Sequence, residues 1–264
     1  NLINKLGKEI CLYAPDIDIN QFENLPGINS IETKIEKEYD LAFFLDCSDK
    51  NRIYHPKKFP KYKQSINIDH HQDNTNFGTY NLVLTISSVG EIIYNLYQSL
   101  NIKLDTSTAT QIYAAICFDT GNFQYSNTTS STFTIAAELL KHGISNHQIS
   151  EWIFENKNIS YFQDIKLGLH NMYIDNKFPF IIVQIPLNDF ENRESTINFF
   201  RTLKNIELVI VCKETAPKTF KLSFRSKNKI NVANLAKAFN GGGHKRAAGA
   251  YFNQITIDEV KKNP

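Results

Sequence analysis

The sequence predicts an α/β protein of two domains: a mainly parallel-sheet domain, then a smaller α/β domain, joined by a helical linker. Three observations predict it. In the first part of the chain short apolar runs alternate with stretches of helical periodicity, the pattern of strands joined by helices. From Phe178 the texture changes to strands with fewer intervening helices. At 264 residues, with 42% hydrophobic and 21% charged residues, the chain suits one large or two ordinary domains and can bury a real core. The expected spans are 1–157 for the first domain, 158–175 for the linker and 176–264 for the second domain.

The elements follow in order. Asn1 to Lys8 (NLINKLGK) reads as the end of a helix closed by a glycine, and Glu9 to Tyr13 as a strand. With no methionine at the start, a segment upstream is expected. Asp40 to Cys47 (DLAFFLDC), Ser65 to Asp69 (SINID) and Tyr80 to Leu84 (YNLVL) have the apolar texture of buried strands. Ser88 to Leu100 places Val89, Ile92, Ile93, Leu96 and Leu100 on one side of a helix. Thr106 to Phe118, Ser131 to Lys141, Ser145 to Phe154 and Ser160 to Tyr173 continue helical, the last crossing towards the second domain. Further strands are expected at Phe178 to Ile185, Leu208 to Cys212, Phe220 to Phe224 and Ala250 to Phe252, with helices at Ser195 to Leu203 and Val232 to Phe239.

Composition excludes several classes. Eleven glycines and eight prolines rule out a collagenous or linker-dominated chain. A net charge of +2 lacks the excess of a dedicated duplex-DNA binder, so an anionic partner must be gripped locally. No apolar run approaches the roughly 18 residues of a membrane span, and the start is unlike a signal peptide, so the expected location is the cytoplasm. Cys11, Cys47, Cys117 and Cys212 are widely spaced, form no C-x-x-C, and read as buried thiols and not as a zinc site.

The chemistry concentrates at strand ends. Asp46 closes one apolar run, Asp69-His70-His71 closes the next, and Asp119 follows an apolar helix in Phe118-Asp119-Thr120-Gly121. In open α/β sheets ligands bind beyond the carboxyl ends of the strands, which puts Asp46 and His70 at one crevice edge. A single aspartate there is ordinarily a turn or cap residue. Several, joined by a histidine pair, favour a hard divalent cation, and mixed Asp/His ligation favours Mn²⁺ over Mg²⁺. In the second domain Gly241, Gly242 and Gly243 precede His244, Lys245 and Arg246. Glycines let backbone N–H groups approach an anion, and the side chains after them add positive charge. Ser223 and Arg225 share one face of their strand opposite Phe224, where an arginine suits a bidentate phosphate contact. The lysines 57, 58, 61 and 63 and the histidines 55, 142, 147 and 170 read as solvated or satisfied residues.

Asp69-His70-His71, with Asp46 upstream and Asp119-Thr120-Gly121 downstream, resembles the DHH phosphoesterases. SFRS at 223–226 and GGGHKRAAG at 241–249 resemble their C-terminal DHHA1 domain. The motifs occur in the family's order across essentially the whole chain, and the two-domain layout resembles the nanoRNase and pAp-phosphatase branch. The resemblance implies a two-Mn²⁺ site with Asp46, His70 and Asp119 as ligands, and His71 of the Asp69-His70-His71 motif facing the scissile phosphate. It implies Arg225, Ser226, a loop of Gly241 to Gly243, His244 and Arg246 as the substrate grip. The implied activity is hydrolysis of short RNA to 5′-mononucleotides, and of pAp to AMP, by in-line attack of a metal-activated hydroxide in a cleft between the domains. A cyclic-di-AMP phosphodiesterase would use the same residues, and a homodimer is a reasonable expectation.

The sequence departs from the family in its first motif, H-x-x-P-D-x-D-x-x-G-S. Pro15-Asp16-Ile17-Asp18 imitates the core of that motif without its histidine or Gly-Ser, and reads as a loop. If these residues were the whole molecule, weak Mn²⁺ binding and little hydrolysis are expected, and a nucleotide-binding protein becomes the rival reading. Gln124 stands where the family often has a basic residue.

Overall fold

Local chemistry sets the first elements. Helix α1 (Leu2–Lys5) ends with the Gly7 N–H on the Asn4 carbonyl at 2.9 Å and the Lys8 N–H on the Ile3 carbonyl at 3.3 Å, the paired bonds of a glycine helix stop. This computed structural model describes residues 2–14, 22–35, 37–50, 53, 60–175, 177–187 and 196–253. The expected first strand shortens to β1 (Leu12–Tyr13), which pairs in parallel with β2 (Ile31–Glu32). Pro15 to Asp18, His55, Lys57 and Lys58 lie outside the described residues.

The apolar runs that read as buried strands pair in parallel. Strands β3 (Glu38–Leu45), β4 (Lys61–Asp69) and β5 (Tyr80–Val83) form a three-stranded sheet in that order. Ile68 of β4 packs against Val89 and Ile92 of α2 (Val89–Ser99). Side-chain caps start the helices that follow. Ser88 accepts the Glu91 N–H for α2, and Asp105 the Thr108 N–H for α3 (Thr106–Thr120). Thr129 and Thr132 form a reciprocal cap on α4 (Ser130–Leu140), and Ser145 accepts the Gln148 N–H for α5 (Asn146–Phe154). Helix α3 is the centre of this half: Ile112, Ile116 and Cys117 meet Tyr97, Leu139, Ile149 and Ile153 in one core.

The chain divides into two units, Asn1–Asn156 and Lys157–Pro264. The second opens with α6 (Ile159–His170), which stops short of the expected Tyr173 because Met172 enters β6 (Met172–Ile174). Then come β7 (Phe180–Ile185), α7 (Ile197–Arg201), β8 (Leu208–Ala216), β9 (Thr219–Ser226), α8 (Val232–Lys237), β10 (Gly242–His244) and β11 (Ala247–Asn253). The sheet runs β10-β11-β9-β8-β7-β6, parallel only between β7 and β8. Strand β9 alternates as its sequence does. Phe220, Leu222 and Phe224 join a core with Val232, Ala236, Ala248 and Ala250, and Arg225 lies on the other face.

One expectation is corrected here. The glycine run is not a loop: Gly242, Gly243 and His244 pair with Gly249, Ala248 and Ala247 in a hairpin turned by Lys245 and Arg246. A Cβ on Gly241 would stand 2.1 Å from the Gly249 carbonyl oxygen and 2.7 Å from Ala250 Cβ. Gly241 is therefore required for packing before any question of ligands. Gly241→Ala is expected to destabilise by about 1–3 kcal/mol through overpacking, seen as a lower thermal midpoint; an unchanged midpoint would contradict this packing.

Candidate functional site

Because β3 and β4 are parallel neighbours, their carboxyl ends lie side by side. Asp46, one residue past β3, adopts a left-handed backbone (φ 56°), and its N–H still bonds the Ile68 carbonyl at 3.0 Å. Its side chain thereby turns beside Asp69-His70-His71. His70 Nε2 is 3.2 Å from Asp46 Oδ1 and 3.8 Å from Asp119 Oδ2. One donor atom from each of Asp46, His70 and Asp119 lies within 4.8 Å of the others, and the same is true of Asp46, Asp69 and His71.

Asp119 is in the last turn of α3, not beyond it as expected. The helix stops at Gly121 (φ 55°), whose N–H bonds the Phe118 carbonyl, while the Asn122 N–H bonds the Cys117 carbonyl at 2.8 Å. A Cβ at Gly121 would fall 2.2 Å from the Tyr125 ring. Asn122 and Phe123 continue left-handed at φ 57° and 64°, a conformation that costs energy and has to be held by surrounding structure. The buried Thr120 hydroxyl holds it, donating to the Ile116 carbonyl at 2.6 Å and accepting the Phe123 N–H at 3.0 Å.

Hydrogen bonds fix the histidine tautomers. His70 Nδ1 lies 3.1 Å from the Ile86 carbonyl, so Nδ1 carries a proton and Nε2 faces Asp46 and Asp119, where it holds a second proton in the metal-free protein and offers its lone pair to a metal once that proton leaves. His71 Nδ1 donates to Asp69 Oδ1 at 2.7 Å. Asp69 is fully buried, and its other oxygen accepts from Asn74 at 2.5 Å. Burial alone would raise the Asp69 pKa, but the bonds from His71 and Asn74 outweigh it and hold the carboxyl far below the usual carboxylate range.

The remaining groups crowd negative charge. Burial, with the Asp46 charge, pushes Asp119 up to about 7. Burial works against a charged His70, yet the hydrogen bond to Asp46 and the charge of Asp119 raise it to about 9. Such a cluster takes up a cation of some kind, a proton or a metal. Two carboxylates and one imidazole oriented from behind are a donor set that a divalent cation of the Mn²⁺ class fits. Both groups hold protons more tightly folded than unfolded, so the stability they give the metal-free protein fades as pH rises. For Asp119 the loss runs from 3.8 through about 7, and for His70 from 6.5 through about 9. A metal must displace those protons. Apparent Mn²⁺ affinity is expected to climb across pH 7 to 9, with proton release detectable by calorimetry in buffers of different ionisation enthalpy. Affinity flat over that window would contradict this arrangement.

The residues expected to grip substrate lie in the second unit. Arg225 is half-buried on β9, and its Nη1 donates to the Phe224 carbonyl at 3.1 Å. Ser226 falls on the opposite, buried face of β9, and its hydroxyl donates to the Ile230 carbonyl at 2.6 Å. Arg246 Nη1 donates to the same carbonyl at 2.8 Å. His244 and the glycines form the outermost strand of the sheet. The structure thus brings Ser226 and Arg246 to one anchoring carbonyl and leaves Arg225 on the other side of its strand. Of the other histidines, His147 and His170 are exposed and His142 is half-buried.

Sequence reasoning missed the asparagines that tie the strand ends together. Asn67 is fully buried and donates to the Cys47 carbonyl at 3.0 Å, holding the turn after Asp46. Asn74 bonds Asn67 Oδ1 at 2.8 Å as well as Asp69. No spacing rule marks them; only their polarity beside an apolar strand is visible.

Comparison with known proteins identifies the family and the fold. Residues 180–263 match the DHHA1 domain family. The bifunctional oligoribonuclease and PAP phosphatase NrnA of Bacillus subtilis is 30% identical over 246 residues, covering 86% of this chain and 75% of that protein. Its Thermus thermophilus namesake is 28% identical over 198 residues, 74% of this chain; the chain spans 60% of that relative's length. An exopolyphosphatase-related protein of Bacteroides fragilis has the same fold, with a TM-score of 0.81 at 23% identity over 98% of this chain and 82% of its own. Among the described residues no helix is long and apolar enough to cross a membrane. Motifs, fold and relatives agree, and the chain belongs to the DHH/DHHA1 phosphoesterases, in the branch of the oligoribonuclease and PAP phosphatase NrnA.

Proposed function

We propose that the protein is a Mn²⁺-dependent phosphoesterase that releases 5′-mononucleotides from very short RNA and removes the 3′-phosphate of pAp. The observation that carries this is the cluster of Asp46, His70 and Asp119, with His70 held from behind by the Ile86 carbonyl. When bound, Mn²⁺ supplies Lewis acidity, lowering the pKa of water and neutralising charge on the phosphate. Asp46, His70 and Asp119 hold it. Asp69 accepts from His71 Nδ1 and so fixes its tautomer and orientation, leaving Nε2 as the atom that can hold or deliver a proton at the phosphate.

The second unit binds the nucleotide. The planar fork of Arg225 suits a phosphate, and the outer edge of β10 offers backbone groups beside His244. Ser226 is a positioning residue that, with Arg246, fastens the loop at Ile230. A net charge of +2 suits a substrate of a few nucleotides, which needs a pocket and not a long basic track. The test is to incubate the full-length protein with pApA, pAp and cyclic-di-AMP, with and without Mn²⁺, and to resolve the products chromatographically. AMP from pApA and pAp only when Mn²⁺ is present is the expected result. Preferred cleavage of cyclic-di-AMP would reassign the substrate, and nucleotide binding without cleavage would make the protein a sensor.

A further inference from the structure

We propose that Asn127 is a positioning residue that braces the two segments carrying His70's support and Asp119, setting the geometry in which they meet a metal. The inference rests on the metal-centre reading above. The Asn127 side-chain amide donates to two main-chain carbonyls, Ser87 at 3.0 Å and Asp119 at 3.1 Å. Ser87 directly follows Ile86, whose carbonyl fixes the His70 tautomer. The Asp119 carbonyl lies in the last turn of α3, where no further helical N–H follows to meet it. One amide therefore joins the loop behind one ligand to the helix end that bears another.

Two features show that the brace is specific. The loop it grips is rigid: Ser87 and Ser88 are buried, the Ser87 hydroxyl is bonded to the Glu91 carboxylate, and Ser88 caps α2. The amide's Oδ1 makes no hydrogen bond among the described residues. What the residue supplies at that position is its pair of donors, which reach the ligand-bearing segments through main-chain carbonyls.

Groups that orient metal ligands from behind typically carry about 10–100-fold in metal affinity. Asn127→Ala is expected to weaken Mn²⁺ binding by about that factor, measured by electron paramagnetic resonance of free Mn²⁺. It is also expected to alter the visible absorption bands of the Co²⁺-substituted protein. Asn127→Ser, which keeps one donor, should fall between Asn127→Ala and the parent. Thr134→Ala removes a bond of similar kind, to the Ser130 carbonyl on the exposed side of α4, and should leave both readouts unchanged. Affinity and Co²⁺ spectrum equal to the parent's in both Asn127 variants would overturn the brace, whatever their thermal midpoints. So would an equal loss in Thr134→Ala. Failure of the parent protein to take up Mn²⁺ would instead overturn the metal-centre reading, and the brace with it.

Discussion

His70→Ala is expected to reduce Mn²⁺-dependent hydrolysis of pApA by roughly 10³-fold or more in kcat/KM. The imidazole is the one nitrogen donor among Asp46, His70 and Asp119, and removing it takes away the group that faces both carboxylates. Metal Lewis acidity contributes several kcal/mol to such a reaction, and each 1.36 kcal/mol is about a factor of ten. His70 is also buried against the Ile86 carbonyl, so its loss opens a small cavity and some destabilisation is expected. The diagnostic is therefore metal uptake of the folded variant, judged by calorimetry after circular dichroism shows native structure. A folded variant that keeps both metal and activity would remove His70 from the site.

Asp69→Asn should be almost as damaging by a different route. The carboxylate is fully buried and accepts from both His71 and Asn74, so the amide fits the space but cannot accept on both sides. His71 must then lose its bond or flip its proton to Nε2. In a serine protease the corresponding change at a histidine-orienting aspartate costs about 10⁴ in kcat, and a loss of roughly 10³–10⁴ is expected here on the same grounds. Binding of Mn²⁺ at His70 should survive, because His70 is oriented by a different carbonyl. Loss of metal with loss of activity would mean that Asp69 serves as a ligand and not as an orienter.

Much of this was legible in the chain because each apolar run carries its chemistry at its own carboxyl end. DLAFFLD and SINIDHH each end in the residues that the sheet then brings together, because parallel neighbours put those ends side by side. The glycine run was misread because glycine disfavours strands on its own, and β10 exists only through contact with β11 and α8. Asp119 was assigned one step too late although Gly121 marks a helix stop two residues beyond it. Ser226 could have been turned inward from the start, since alternation places it with Phe224. Asn67, Asn74 and Asn127 were invisible for a different reason. Side-chain bonds to distant carbonyls follow from the fold and leave no periodic trace.

The most direct measurement is anomalous diffraction at the manganese edge from crystals of the full-length protein grown with Mn²⁺. The account predicts density in bonding contact with the carboxylates of Asp46 and Asp119 and with His70 Nε2. Manganese bound away from these three side chains, in a protein that still hydrolyses pApA, would contradict it.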